Sequence, residues 1–175
     1  MSLPFSRVDD FGGKERMHFS FVCLVSPAAQ FVSSFASFFL LLRPQLRFDK
    51  MKGVARCVVG YSGGKTKDPT YRNMQDHTEA FLVEFDPSVV SYEDLVISWT
   101  QMHSPIRCKT SCQYKSAVWY MDEEQQEVVE EVVEAWRVSA RKPLYTDVEA
   151  ALTFYRAEEY HQFFLRKRGG NTRWA

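Results

Sequence analysis

Residues 60–85 read GYSGGKTKDPTYRNMQDHTEAFLVEF, and the second half of this stretch decides the fold. Strand alternation from His77 places His77, Glu79, Phe81, Val83 and Phe85 on one face and Thr78, Ala80, Leu82 and Glu84 on the other. Glu79 thereby shares a face with two phenylalanines and a valine. A carboxyl group in such surroundings loses hydration and tends to keep its proton, whereas one at the open end of the strand stays wet, and the residues alone leave both readings open. Upstream, Val54 to Tyr61 forms a second strand candidate, with Ala55, Cys57, Val59 and Tyr61 on one face. The two candidates flank a loop rich in Gly, Pro and Tyr. Lys65 and Thr66 follow Gly64 as in a phosphate-binding loop, but Val59 stands where that motif needs its first glycine, so a nucleotide loop is excluded. Gly63 and Gly64 instead suit positive φ and a close backbone approach.

Working outward, Asp86-Pro87 closes the Glu79 strand, and Ser91 with Asp94 forms a capping box for a helix carrying Leu95, Val96, Trp99 and Met102 at core spacing. Tyr114 to Tyr120 alternates as a strand. In the helix that follows, Val128, Val132 and Trp136 recur beside Val129 and Val133. Acids (Asp122, Glu123, Glu124) gather at its start and bases (Arg137, Arg141, Lys142) at its end, as the helix dipole prefers. Tyr145 to Leu152 is a short strand candidate, and Ala157 to Arg168 is expected to form a terminal helix with His161 one turn beyond Ala157 and Glu158.

The chain has 175 residues, enough for one domain with a real core, and 22 basic residues balance 22 acidic ones. That balance argues against nucleic acid as a partner. The four cysteines, Cys23, Cys57, Cys108 and Cys112, lack the spacing of a disulfide scaffold. Cys108 and Cys112 with nearby His103 leave a zinc site or a redox pair open, although zinc would want a fourth ligand. Residues 1–17 read as disordered. Residues 18–42 carry no charge, which allows a membrane span, a targeting segment or a buried helix.

Several pieces together resemble the A-type peptide methionine sulfoxide reductase family: Gly60-Tyr61-Ser62-Gly63-Gly64, Pro69-Thr70-Tyr71, His77-Thr78-Glu79, Gln113-Tyr114-Lys115-Ser116 and Ala157-Glu158-Glu159-Tyr160-His161-Gln162. They occur in the family's order. The resemblance implies an α+β fold, a two-layer, ferredoxin-like mixed sheet with packed helices. It divides the chain into a segment 1–42 apart from the fold, a reductase-like domain 43–168 and a tail 169–175. It also implies thiol-dependent reduction of methionine sulfoxide, in proteins or free, with thioredoxin as reductant and no organic cofactor or metal. Protein repair under oxidative stress, a cytoplasmic monomer, and an organelle-targeted or membrane-tethered form using residues 18–42 complete the expectations.

Residue by residue, the resemblance assigns Glu79 as the acid, Tyr71 and Tyr114 as the hydroxyls that bind the sulfoxide oxygen, and Tyr61, His77 and His161 as substrate-binding groups. The nucleophile is the departure. Counting back from Gly60 by the family's spacing puts the cysteine of its Gly-Cys-Phe-Trp motif at Leu40, with Leu41 and Leu42 where Phe and Trp belong. An alkyl side chain offers no nucleophile. On that count the chain is an impaired enzyme, or a binding module for oxidised methionine. Cys57 is the nearest substitute, but it sits inside a strand, where thiols are inert. Phe35 to Leu42 is apolar enough to supply the family's central strand.

Overall fold

The structure, a computed structural model, describes residues 2–3, 17–22, 44–102, 116–141 and 143–163. Among the described residues seven strands form one mixed sheet: β1 (Ser2–Leu3), β2 (Met17–Val22), β3 (Val54–Ser62), β4 (Thr78–Phe85), β5 (Ser116–Tyr120), β6 (Thr146–Ala150) and β7 (Phe154–Arg156). Their spatial order is β1-β7-β3-β4-β2-β5-β6. All neighbours are antiparallel except β5 and β6. That parallel pair is joined through α3 (Glu123–Ser139), the long crossover a parallel connection requires. A short helix α1 (44–48) precedes β3, and α2 (Tyr92–Thr100) follows β4.

The expected alternation holds through the centre of the sheet. Cys57, Val59 and Tyr61 of β3 and Phe81, Val83 and Phe85 of β4 face a core shared with Phe48 of α1, Leu95, Val96 and Trp99 of α2, and Val129 and Val133 of α3. Trp99 and Trp136 meet edge to face at 5.8 Å and lock α2 to α3. The opposite face carries Val58, Ala80, Leu82, Ala117, Trp119 and Phe154. Every residue of β4 is buried, as a strand with partners on both sides and packing on both faces must be. The capping box on α2 is present, with the Asp94 N–H donating to Ser91 Oγ at 3.0 Å.

Two expectations change. First, the place between β4 and β5 is held by Met17–Val22, with Phe21 paired to Phe81 on one side and Val118 on the other. The segment set apart as 1–42, its first residues read as disordered, thus contributes a central strand and the edge strand β1, and His18–Val22 of the uncharged run is strand. Phe35–Leu42, offered for that place, lies outside the described residues. Second, residues 157–163 form turns and not the start of a helix, and Phe163 takes φ +52°. Phe154–Arg156, outside every element expected from the sequence, is also a strand. Among the described residues, no helix is long and apolar enough to cross a membrane.

The turn at 157–163 exists because the outer edge of β3 needs partners. The three-residue β7 pairs only Gly60 and Tyr61 of β3. Beyond it, the Ala157 N–H still donates to Val59 O at 3.0 Å, and side-chain amides take over the rest of the ladder. Val59 N–H donates to Gln162 Oε1 at 3.1 Å, and Gln162 Nε2 donates to Val59 O at 2.8 Å and Ala157 O at 3.0 Å. Gln45 Nε2 donates to Cys57 O at 3.1 Å, and Phe163 N–H donates to Gln45 Oε1 at 3.3 Å. Two buried glutamines thus finish an edge that backbone leaves open. Replacing Gln162 with Ala orphans the buried Val59 N–H, and we expect a loss of about 1–3 kcal/mol, read as a lower urea midpoint at unchanged m. An unchanged midpoint contradicts this account of the edge.

Candidate active site

The site is built at one end of β3 and β4 and on the loop between them. Tyr61 of β3 lies opposite Glu79 of β4, and both are buried, Glu79 at 2% exposure. A carboxyl group this deep among Phe81, Val83 and Tyr61 is the one strongly polar side chain on the core face of β4. The loop leaves β3 through Gly63, at φ +81°, where an added Cβ would strike the Trp119 ring.

Asp76 holds the loop closed. Its carboxylate accepts the Lys65 N–H at 2.7 Å and the Thr66 N–H at 3.4 Å. These hydrogen bonds, with that of the Thr66 hydroxyl, keep its carboxyl well below the usual carboxylate range. Beside it, His77 Nε2 donates to Thr66 O at 2.8 Å, and the ring meets Tyr155 edge to face at 5.3 Å. A carbonyl only accepts, so the proton sits on Nε2. His77, expected among the substrate-binding groups, is fully buried and packed behind the loop. Gly64 has no room for a Cβ, which would lie 2.6 Å from both Asp76 and His77.

Tyr71 projects from this loop onto the turn that follows β7. Its backbone N–H donates to Glu158 Oε1 at 3.1 Å, and the Tyr61 hydroxyl donates to Glu158 Oε2 at 2.7 Å. The His161 ring packs against Tyr71 with centroids 4.9 Å apart and against Tyr160 at 4.0 Å. Tyr61, Tyr71 and His161 therefore gather around Glu158, and Glu79 joins them through its cross-strand neighbour Tyr61. Tyr114 and Leu40, the other two positions assigned from sequence, lie outside the described residues, as do His103, Cys108 and Cys112.

The electrostatics follow from this packing. Burial, then the hydrogen bond to Glu158, pushes the Tyr61 hydroxyl far above the ordinary phenol range, so it stays a neutral donor. Burial also pushes the Glu158 carboxyl up, but hydrogen bonds from Tyr61 and from backbone N–H groups, including that of Tyr71, outweigh it and leave the group below its ordinary value. Burial lowers His161 to about 4 against the opposing pull of Glu158. Cys57 is fully buried, and its thiol is pushed well up, first by burial; it supplies no thiolate at neutral pH. A separate cleft of about 620 Å³, lined in part by Glu130, Arg137 and Asp147, opens between α3 and β6 at the other edge of the sheet. Among the described residues, no cluster of His, Cys, Asp and Glu is suited to a metal ion.

Glu158 and Asp76 were not assigned roles from the sequence. Glu158 sits inside a quoted motif, but its partners lie 97 and 87 residues away, and no local pattern announces them. The depressed His161 value carries a pH consequence. Between about pH 6.5 and about 4 the unfolded chain takes up a proton that the folded site refuses, so stability is full above that window and falls as acid is added through it. Below the ordinary carboxylate value, protonation of the depressed Glu158 removes more. Thermal melts should show a Tm that drops with acid through this window, and a His161→Gln variant should flatten the upper part. A variant whose Tm tracks the parent across the window contradicts the placement.

The family model for peptide methionine sulfoxide reductase matches residues 44–174. The chain is 38% identical over 137 residues to the peptide methionine sulfoxide reductase of Fragaria ananassa, an alignment covering 73% of this chain and 72% of that protein. In fold it is similar to Mxr1 from Saccharomyces cerevisiae in reduced form, with a TM-score of 0.71, 21% identity, and coverage of 95% of this chain and 91% of the other. It is also similar to Mxr1 in complex with Trx2, with a TM-score of 0.51, 18% identity, and coverage of 85% and 84%; at these identities the likeness concerns fold alone. On the family match and the identity to its relatives, the chain belongs to the peptide methionine sulfoxide reductase family.

Proposed function

We propose that this chain reduces methionine sulfoxide, in proteins or free, and that Cys23 is its nucleophile. The observation that carries the reading is the register of β2. Val22, its last residue, pairs with Ala80 of β4 and Ala117 of β5. The next residue of β4 in that direction is Glu79, and the next residue of the chain after Val22 is Cys23, itself outside the described residues. The count that reached Leu40 assumed the family's spacing back from Gly60. With the central strand at 17–22, the additional length falls between the cysteine and Gly60 instead.

The chemistry then balances. The Cys23 thiolate attacks the sulfoxide sulfur, a proton from Glu79 goes to the oxygen, and the S–O bond breaks. The hydroxyl passes from the methionine sulfur to the Cys23 sulfur as the bond between the two sulfurs breaks, which releases methionine and leaves Cys23 as a sulfenic acid. Tyr71 and Tyr114 hold the sulfoxide oxygen, with Tyr61 and His161 shaping the surrounding wall and His77 supporting the loop from behind. A second thiol displaces water from the sulfenic acid to form a disulfide, and a dithiol reductant returns both sulfurs to thiols. Thioredoxin is the reductant this reading favours, consistent with the similar fold of Mxr1 in the complex with Trx2. A monomer suffices for every step, and repair of oxidised proteins is the role it serves.

A second reading keeps Leu40 at the nucleophile's position and makes the chain a binding module for oxidised methionine. It is favoured by the residues around Cys23, where Val22, Leu24 and Val25 stand in place of the motif's Gly, Phe and Trp. Turnover of a methionine-(S)-sulfoxide peptide with dithiothreitol or thioredoxin decides between them. The Cys23→Ser variant should fall to background while Cys57→Ser keeps its rate. A Cys23→Ser enzyme at full rate overturns the assignment. A parent chain that binds the peptide by calorimetry yet never reduces it establishes the second reading.

A further inference from the structure

We propose that Glu158 is a positioning residue that fixes the oxygen-binding phenol Tyr71 by holding its backbone against Tyr61; this rests on the reductase reading above. One carboxylate oxygen takes the Tyr61 hydroxyl and the other the Tyr71 N–H. Two donors converging on two oxygens call for an acceptor-only group, which an ionised carboxylate is. A glutamine in its place turns an NH₂ toward one of the two donors. An aspartate is one methylene shorter and cannot reach both.

The rest of the turn makes Glu158 a bracket between the sheet and the loop. Gln162 pins the turn to Val59 in the core of β3. The His161 N–H donates to Glu158 O at 2.9 Å and sets the pitch of the turn. The His161 ring then packs on Tyr71, with the exposed Tyr160 ring on its outer side. Tyr71 is thus held at its backbone by the carboxylate and at its ring by the imidazole, both delivered by one turn. Tyr71 sits in a long loop whose hydrogen bonds to Asp76 lie around residues 65 and 66, and the Glu158 contact ties Tyr71 to the turn after β7. A hydroxyl that must meet the sulfoxide oxygen within a fraction of an ångström needs such a tie.

A double-mutant cycle tests this. With a methionine sulfoxide peptide under reducing conditions, Glu158→Gln should lower kcat/KM about tenfold, and the same change in a Tyr71→Phe background should cost less than about twofold, because the hydroxyl being positioned is already gone. Equal losses in the two backgrounds, or no loss in either, overturn the proposal, since a purely structural role acts regardless of the hydroxyl. If the parent chain does not turn over, the reductase reading fails and the same cycle is read on peptide Kd by calorimetry with the same criteria. The Tyr71 amide proton provides a readout independent of both. Its NMR signal should move upfield in Glu158→Gln as a charge-assisted acceptor is lost, and an unmoved signal overturns the proposal whatever the activity.

Discussion

The site depends on the pairing of β4 with β3 on one side and β2 on the other. A strand hydrogen-bonded along both edges and covered on both faces cannot slip, because a one-residue shift would exchange Phe81, Val83 and Phe85 for Leu82 and Glu84 on the helix-facing side. That fixed register buries Glu79 opposite Tyr61, one step beyond the Gly60–Ala80–Val22–Ala117 row that crosses four strands. A buried acid is costly to place. Here it sits at the end of the most constrained strand of the fold, where the surrounding core prevents it from turning toward water.

The second constraint is the outer edge of β3. Backbone pairing there stops early, and the side chains of Gln162 and Gln45 complete it. The consequence reaches beyond stability, because the same turn that carries Gln162 also carries Glu158 and His161. A ladder repair therefore places an ionised carboxylate between two tyrosines from distant parts of the chain. The loop from Gly63 to His77 is held at its two ends by Asp76 and His77 and at Tyr71 by that carboxylate. At this edge the residues that complete the sheet and those that assemble the site sit on one turn.

Much of this was legible in the residues. The alternation of β3 and β4, the capping box of α2 and the periodicity of α3 are local patterns, and local patterns survived. Alternation put Glu79 on the apolar face but did not separate a buried position from a wet one at the open end of the strand; the family resemblance favoured burial, and the structure buries it. What escaped was set over long distance. Met17–Val22 alternates Met17, Phe19 and Phe21 with His18 and Ser20, a fair strand signal, but a fixed motif spacing and the greater apolarity of Phe35–Leu42 drew the central strand to the wrong stretch. Residues 157–163 have helical composition, yet their hydrogen bonds go to β3 and a turn results, tertiary contacts overriding propensity. The Glu158 hub joins residues nearly a hundred positions apart, which no periodicity encodes.

The proposed nucleophile is Cys23, the residue that follows β2 in the sequence. The most direct measurement is chemical trapping of the oxidised sulfur. The reduced protein is mixed with one equivalent of a methionine-(S)-sulfoxide peptide without reductant, in the presence of a sulfenic-acid-trapping dione, and the adduct is mapped by mass spectrometry. The adduct is expected on Cys23, in proportion to the methionine released. An adduct on Cys57, Cys108 or Cys112 with Cys23 unmodified, or methionine release with Cys23 replaced by serine, contradicts it.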